Sequence, residues 1–261
     1  MTMPAFFIAH GAPLLALENN EYTQAIQQLR EEFPRPKAIV LFSAHWEAPV
    51  QMVSNANDYD TIHDFGGFPD ELHRMQYPAH GDPALAEDIT QLFDHYHIDY
   101  SVNSQRGLDH GAWVVLNILY PDADIPVISM SVNPHLSPAD QYHIGRALAS
   151  LREQDIMVIG SGGTVHNLMM ARMDLDDDIV DSWVPEFEAW LNEKVKNWDT
   201  EALFDYEQQA PHASKAVPPF GKEHFIPLFY AMGAADNNKT AMLRHQSYRY
   251  RNLSHTIWQF G

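Results

Sequence analysis

The sequence predicts an α/β fold, a single domain in which a central, mostly parallel or mixed β-sheet is flanked by helices. Uninterrupted apolar runs at residues 4–9, 38–44 and 156–161 are typical of strands covered on both faces, as in parallel sheets. Segments with helical periodicity lie between these runs. The 261 residues contain no internal repeat and no linker, so we expect one domain over residues 1–261.

Helix start signals divide the chain between the strands. A short polar side chain before a periodic segment caps a helix, and proline suits the first helical position. Such signals predict helices over 21–33 after Asn20, from Asp82-Pro83 to about His95, from Asp109 onwards, and from Ser137-Pro138 to about Glu153. Periodicity alone predicts a helix over 181–198 and a short one over 222–233, where the first turn tolerates Pro227.

The remaining segments predict strands and loops. We expect a strand over 125–132, a loop over 205–221, and two edge strands near Leu243–Tyr250 and Thr256–Phe260. The acidic run at 174–178 lacks the glycine and the distal glutamate of a calcium loop, so it predicts a solvated loop.

Composition excludes several functions. The net charge of −19, from 16 basic and 35 acidic residues, repels phosphate backbones and anionic lipid, so nucleic-acid and membrane-surface roles are not expected. The absence of cysteine excludes disulfides, iron–sulfur clusters and thiol catalysis. The first 17 residues lack a basic region and contain His10, Gly11 and Pro13, which predicts no signal peptide. No apolar stretch approaches the ~18 residues of a membrane span, so we expect a cytoplasmic protein.

Four histidines occupy positions that predict one metal site. His10, His45 and His166 follow predicted strands, and His224 lies at the start of a short predicted helix. Ligands of open α/β sheets bind outside the carboxyl ends of the strands, where residues distant in sequence converge. Imidazole suits iron, zinc and copper. We therefore predict that these side chains surround a metal ion.

The roles within this set stay partly open. His166 follows the glycine-rich Gly160–Gly163, which matches neither phosphate-binding loop pattern, so it is either a ligand or a general base. His110 stands at a helix start, where the dipole disfavours the imidazolium, and a neutral ring there can donate a hydrogen bond to a developing anion. Either His224 or Glu223 can complete a three-ligand face.

The other histidines divide into two groups. His63 lies in an aromatic, glycine-rich loop that is a candidate lid over the site. The rest predict surface positions: His73, His80, His95, His97, His135, His143, His212, His245 and His255.

Five short motifs occur in an order that resembles a known family. They are His10-Gly11-Ala12-Pro13, Ser43-Ala44-His45-Trp46, His63-Asp64-Phe65-Gly66-Gly67-Phe68-Pro69, Asp109-His110-Gly111-Ala112-Trp113 and Val165-His166-Asn167-Leu168. In order and interval, from residue 4 to about residue 233, they resemble the 4,5-DOPA extradiol dioxygenases of the class III, LigB-like ring-opening group. Ala12 and Gly163-Thr164 depart from the common pattern, at positions that shape the pocket floor.

The resemblance implies a fold and a set of roles. It implies a LigB-like single α/β domain, a metal held by His10, His45 and His224, and His166 beside it as an additional ligand or as the base. It also implies that His110 faces the substrate. We place the substrate pocket at Trp46, His63, Phe65 and Asn167.

The implied activity is extradiol cleavage of a catechol, DOPA-like or otherwise, by dioxygen to a muconic-semialdehyde-type product. Ferrous iron is the expected active metal, one ion per chain, and zinc is expected in purified protein because affinities favour it. Two alternatives remain open: a non-enzymatic binding protein like the Memo proteins, which share this fold, and a zinc-dependent hydrolase. The sequence allows both a monomer and a homodimer.

Overall fold

An eight-stranded mixed β-sheet forms the centre of the computed structural model, which describes residues 2–174 and 179–261. The sheet order is β4-β3-β5-β2-β6-β1-β8-β7. The strands are β1 Ala5–Ala9, β2 Ala38–Glu47, β3 Gln51–Ser54, β4 Tyr100–Asn103, β5 Val127–Val132, β6 Ile156–Gly162, β7 Ala241–Arg249 and β8 Leu253–Phe260.

The four central strands are parallel, which places their carboxyl ends at one edge of the sheet. β2 pairs in parallel with β5 and β6, and β1 pairs in parallel with β6. Ala9 lies opposite Gly162, and Ser43 lies opposite Ser161, so these chain segments leave the sheet at the same level. β8 and β3 run antiparallel to their neighbours β1 and β5. The predicted mostly parallel, mixed sheet is confirmed.

Helices cover both faces of the sheet, and each face buries its own apolar core. Successive strand residues such as Phe6 and Phe7 belong to opposite cores, as the alternation of a strand requires. The helices are α1 Glu21–Glu32, α2 Asp70–Arg74, α3 Pro83–His95, α4 His110–Leu119, α5 Pro138–Ala147, α6 Trp183–Lys196, α7 Thr200–Phe204, α8 Tyr206–Gln209, α9 Ala213–Ala216 and α10 Pro227–Ala234. Among the described residues, no helix is both long enough and apolar enough to span a bilayer.

The predicted helix caps all form. Asn20 accepts from the Thr23 amide in a capping box, and Asp109 accepts from the Ala112 amide. The side chains of Asp82 and Ser137 cap α3 and α5 in the same way. Each bond satisfies an amide that the first helical turn leaves unpaired.

Other parts of the secondary-structure prediction were wrong. The segment 205–221 contains α8 and α9, although we predicted a loop. α5 ends at Ala147 and a 3₁₀ helix, Ala149–Gln154, follows it, while a 3₁₀ turn, Lys222–His224, precedes α10. A further 3₁₀ segment, Pro13–Leu17, was not predicted, and neither were β3, β4 and α2.

Only one of the two predicted edge strands lies at an edge of the sheet. β8 lies between β1 and β7, and β7 is the edge strand. The acidic run falls largely outside the described residues.

Arg152 joins three distant chain segments inside the core. Its buried guanidinium donates to the carbonyl oxygens of Met3, Ala234 and Phe260 at 2.6, 3.0 and 3.4 Å. We expect Arg152→Met to lower the free energy of unfolding by about 3 kcal/mol, because buried carbonyls would lose a charged donor. Urea unfolding measures this loss. The same substitution at the exposed Arg146 is the control and is expected to have little effect; equal effects would contradict the assignment.

Candidate metal centre

Five histidines converge at the carboxyl edge of the parallel strands. His10 follows β1, His45 lies near the end of β2, and His166 follows β6. His110 is the first residue of α4, and His224 ends the 3₁₀ turn before α10. Ring centroids are 4.8 Å apart for His10 and His45, 3.9 Å for His45 and His110, and 3.6 Å for His166 and His224. The predicted convergence is therefore present, and it includes His110.

Irregular backbone directs these side chains into the cluster. The β2–β5 register shifts between Phe42 and Glu47, the segment that contains His45, and such bulges re-aim side chains. Gly11 has a φ of +58°, which turns the chain away directly after His10. At Gly162 a Cβ would lie 2.0 Å from the His224 carbonyl oxygen, so only glycine lets that turn approach β6.

Ser161 determines which nitrogen of His10 carries the proton. The Ser161 hydroxyl has one proton and donates it to the carbonyl of Gly111. The contact of 3.1 Å between His10 Nδ1 and Ser161 Oγ must therefore be a donation from Nδ1. The Nε2 lone pair of His10 then faces the cluster.

Carboxylates orient two further rings in the same way. His224 Nδ1 lies 2.9 Å from Glu223 Oε1, and His110 Nδ1 lies 2.9 Å from Asp64 Oδ1. An ionised carboxylate only accepts, so both Nδ1 atoms donate and both Nε2 atoms of the neutral rings carry lone pairs. Such carboxylate–histidine pairs are typical around metal sites. Glu223 thus lies where it orients His224.

The Asp64 contact changes our interpretation of His110. We predicted that a neutral His110 donates a hydrogen bond, but its donor nitrogen is already engaged by Asp64. His110 can donate from Nε2 only as an imidazolium, for which Asp64 provides the opposite charge. Burial acts to raise the pKa of Asp64, but the hydrogen bonds and charge of His110 outweigh it and lower that pKa to about 2.

Burial keeps the other rings of the cluster neutral. It lowers the pKa of His10 and of His224 well below the usual range, with repulsion from the neighbouring histidines acting in the same direction. Burial, reinforced by His110, lowers the pKa of His45 to about 4. It also lowers the pKa of His166 to about 4. Neutral imidazoles with lone pairs directed at one another are a donor set for a cation.

The nitrogen spacing fits one metal ion. The Nε2 atoms of His10 and His45 are 3.0 Å apart. Two ligands at about 2.0–2.1 Å from a metal and at a right angle to each other are separated by about 3 Å. Ligand atoms of His10, His45 and His110 all lie within 4.8 Å of one another, and the His224 ring lies 5.1 Å from the His10 ring. The cluster thus offers a fourth histidine beyond the predicted three ligands.

The His166 ring has a different relation to the cluster. It stacks on His224 with an angle of 6° between the planes. An imidazole ligand holds its metal close to its own ring plane, and two nearly parallel planes share no such position. If His224 were to hold a metal ion, the parallel His166 ring would be poorly oriented to hold the same ion, which favours the role of a base for His166.

Among the four predicted pocket residues, Phe65 contacts a histidine of the cluster, and the contacts of the other three are with neighbouring groups. The ring centroids of Phe65 and His110 are 5.7 Å apart, in an edge-to-face contact. The His63 ring contacts Phe65, and its Nε2 atom lies 3.0 Å from the carbonyl oxygen of Met75. The Trp46 ring lies 5.1 Å from the Arg106 guanidinium. Asn167 donates to the Lys215 carbonyl and accepts from the Met170 amide, so its side chain shapes the loop after His166. For all four, contact with substrate stays a prediction.

Sequence reasoning missed several supporting residues and misplaced one histidine. Asp64 lies between His63 and Phe65 in a motif that we had already singled out, so its position carried a signal. Ser161 is the last residue but one of the buried strand β6, which was a weaker signal. His255 was predicted at the surface but is buried and stacks on Tyr22 at 4.5 Å, because β8 is an interior strand.

Gly111 is packed too closely for any larger residue. A Cβ there would lie 2.7 Å from Ser43 Oγ and 2.9 Å from His45 Cδ2. We expect Gly111→Ala to lower metal affinity about 10–100-fold, the usual range for disturbed support of a ligand. Alanine is the better helix former, so loss of α4 is not the cause. Metal titration calorimetry measures the affinity. The control is Gly66→Ala, where a Cβ meets no atom within 4 Å; unchanged affinity in Gly111→Ala would show that the clash does not reach His45.

Within residues 2–174 and 179–261, the fold and the cluster define an α/β domain with one histidine-rich candidate metal site at its sheet edge. Comparison with known proteins adds the family. The model for the catalytic LigB subunit of aromatic ring-opening dioxygenases matches residues 4–261. The chain belongs to this LigB family and is thus an oxidoreductase of the extradiol ring-opening dioxygenase type.

Individual relatives match nearly the whole chain. It is 39% identical to a 4,5-DOPA dioxygenase extradiol of Beta vulgaris over 98% of this chain and 95% of the relative. It is 36% identical to the protein of that name from Escherichia coli K12, over 99% of this chain and 95% of that protein. The crystal structure of an uncharacterized Escherichia coli K12 protein superposes with a TM-score of 0.82 at 32% identity, covering 99% of this chain and 100% of that one.

Proposed function

We propose that this protein is a non-haem, metal-dependent extradiol dioxygenase that opens the ring of a catechol, DOPA-like or otherwise, to a muconic-semialdehyde-type product. One observation carries the proposal: a LigB-family chain brings five histidines together, and hydrogen bonds at Nδ1 leave the Nε2 atoms of the proposed ligands His10 and His224 with lone pairs for a metal ion. The relatives named as 4,5-DOPA dioxygenases support the substrate class.

His10, His45 and His224 are the proposed ligands of one metal ion. Their side chains are neutral, and Ser161 and Glu223 set the tautomers of two of them. We expect Fe²⁺ in the active protein and Zn²⁺ in protein purified without precautions, because the same ligands favour zinc. A bound Fe²⁺ supplies Lewis acidity toward a phenolic hydroxyl and a redox-active centre for dioxygen.

The remaining two histidines move or hold protons. His166 stays neutral near pH 7 and accepts the proton of a catechol hydroxyl as general base. His110, paired with Asp64, faces the reacting oxygen atoms and stabilises negative charge there when it carries a second proton. Phe65 contacts the edge of the His110 ring and helps to exclude water from it.

Oxygen uptake tests the proposal. The protein would be stripped of metal, reconstituted anaerobically with Fe²⁺, and mixed with DOPA or with unsubstituted catechol in an oxygen electrode, with absorbance followed in parallel. We expect oxygen consumption coupled to a yellow semialdehyde product. Metal bound at one ion per chain without oxygen uptake from either catechol would contradict the proposal and favour a hydrolase or a binding protein, neither of which consumes oxygen.

A further inference from the structure

A buried carboxyl group lies beneath the loop that carries His166. Glu188, in α6, is 1% exposed. Its two oxygens accept hydrogen bonds from uncharged groups, at 2.6 Å from Thr164 Oγ1 and at 2.9 Å from Gln246 Nε2. Asn192 donates to Gln246 Oε1 and so fixes the amide with its NH₂ group toward Glu188.

The hydrogen bonds run in one direction from the loop to the carboxylate. Thr164 donates its one hydroxyl proton to Glu188, and the Ser254 hydroxyl, 2.7 Å from Thr164 Oγ1, donates either to Thr164 or directly to Glu188. Ser254 Oγ in turn accepts from the amide of Val165 at 3.0 Å, and the Ser254 amide donates to the Val165 carbonyl. Glu188 is the terminal acceptor that orders this chain.

We propose that Glu188 is a positioning residue for His166: through Thr164 and Ser254 it fixes the two residues that precede the ring. The inference rests on the proposed function of His166 as the base. Thr164 and Val165 are completely buried, so this backbone has no alternative solvent partners. Two sets of hydrogen bonds therefore fix the His166 backbone. The bonds of Thr164 and Val165 hold the residues before it, and the His166 amide itself donates to the Ala216 carbonyl.

Packing alone does not account for a carboxyl group at this position. Burial raises the pKa of Glu188 to about 7, and the hydrogen bonds from Thr164, Ser254 and Gln246 oppose that shift. A buried carboxyl group is costly unless its oxygens accept hydrogen bonds. One of the hydrogen bonds to Glu188 comes from Thr164, two residues before His166, so the carboxyl group holds the segment that carries His166.

Steady-state kinetics of four variants test this role. Glu188→Ala and Thr164→Val remove the acceptor and the hydroxyl link, Thr164→Ser keeps the hydroxyl, and Glu188→Gln keeps the volume but presents an NH₂ group to Thr164. Assays of Fe²⁺-reconstituted protein at pH 8 would give kcat, KM and metal content. We expect Glu188→Ala and Thr164→Val to lower kcat about tenfold or more, because small displacements of a catalytic group have effects of up to ~10²-fold. KM and metal content are expected to stay unchanged.

The conservative variants separate positioning from packing. Thr164→Ser is expected to keep wild-type kcat, and Glu188→Gln to fold normally with an intermediate kcat. Glu186→Ala, two residues earlier in α6 at an exposed site, is the matched control. Wild-type kcat in Glu188→Ala, or equal losses in Thr164→Ser and Thr164→Val, would overturn the proposal. Should Glu188→Ala not fold, a wild-type kcat in Thr164→Val would overturn it as well.

A second readout does not depend on enzyme activity. Hydrogen exchange of the Val165 amide in metal-free protein reports the loop directly, because that amide donates to Ser254. We expect faster exchange in Thr164→Val than in Thr164→Ser, and unchanged exchange would overturn the proposal. An inactive wild-type protein would instead contradict the proposed function, and the exchange result would still decide whether Glu188 orders the loop.

Discussion

Replacement of His45 by alanine is expected to abolish both ring cleavage and tight metal binding. The Nε2 atom of His45 lies 3.0 Å from the Nε2 atom of His10. The lone pair of His10 Nε2 points toward His45, so a proton or a metal ion must lie between the two nitrogens to make this contact favourable. Loss of this ligand leaves two proposed ligands, and we expect kcat/KM to fall by at least ~10³-fold, equivalent to about 4 kcal/mol of barrier. Oxygen uptake after anaerobic Fe²⁺ reconstitution measures the first effect, and elemental analysis of the same sample measures the second.

His80→Ala is the matched control for this experiment. His80 pairs with Asp58 but is 70% exposed, outside the cluster. The substitution removes the same chemical group and is expected to leave activity and metal content unchanged. Full activity together with full metal content in His45→Ala would show that the ligand assignment is wrong.

Much of the site could be predicted because it depends on strand ends. Continuous apolar runs indicate buried parallel strands, and the carboxyl ends of such strands meet at one edge whatever the loops do. On that basis the sequence alone predicts that His10, His45 and His166 lie at this edge. The glycines at the end of β6 also carried information, since Gly162 is where the His224 turn approaches the strand.

The supporting contacts could not be predicted because they join residues far apart in sequence. His110 and Asp64 are separated by 46 positions, and Thr164 and Glu188 by 24. No local pattern encodes such pairs; they follow from how loops pack on the finished sheet. The same reason explains why the helix position of His110 gave no indication of its contact with Asp64.

The error at 205–221 has a related cause. Its proline and polar content predicted a loop, yet Tyr206, Ala210, Ala213 and Val217 are buried in one apolar core. Packing against that core stabilises short helices that the segment would not form alone, because isolated helices of this length are unstable. These helices matter for the site, since the Ala216 carbonyl accepts from the His166 amide.

Replacement of His166 by alanine is expected to lower kcat by about 10²–10⁴-fold while one metal ion per chain remains bound, as for loss of a general base. The retained metal distinguishes this variant from His45→Ala: His166 stacks parallel to His224, so it would be poorly oriented to hold a metal ion bound by His224. Metal analysis and oxygen uptake on the same reconstituted sample measure both quantities.

The identity of the catechol provides a second test of the same substitution. A base is needed least when the hydroxyl is already acidic, so the loss in His166→Ala is expected to shrink for catechols with electron-withdrawing substituents, whose protons pass to solvent unaided. A ligand behaves differently, because its loss impairs every substrate equally and lowers metal content. Equal losses across substrates, together with metal depletion, would therefore assign His166 to the metal and leave the cluster without its proposed base.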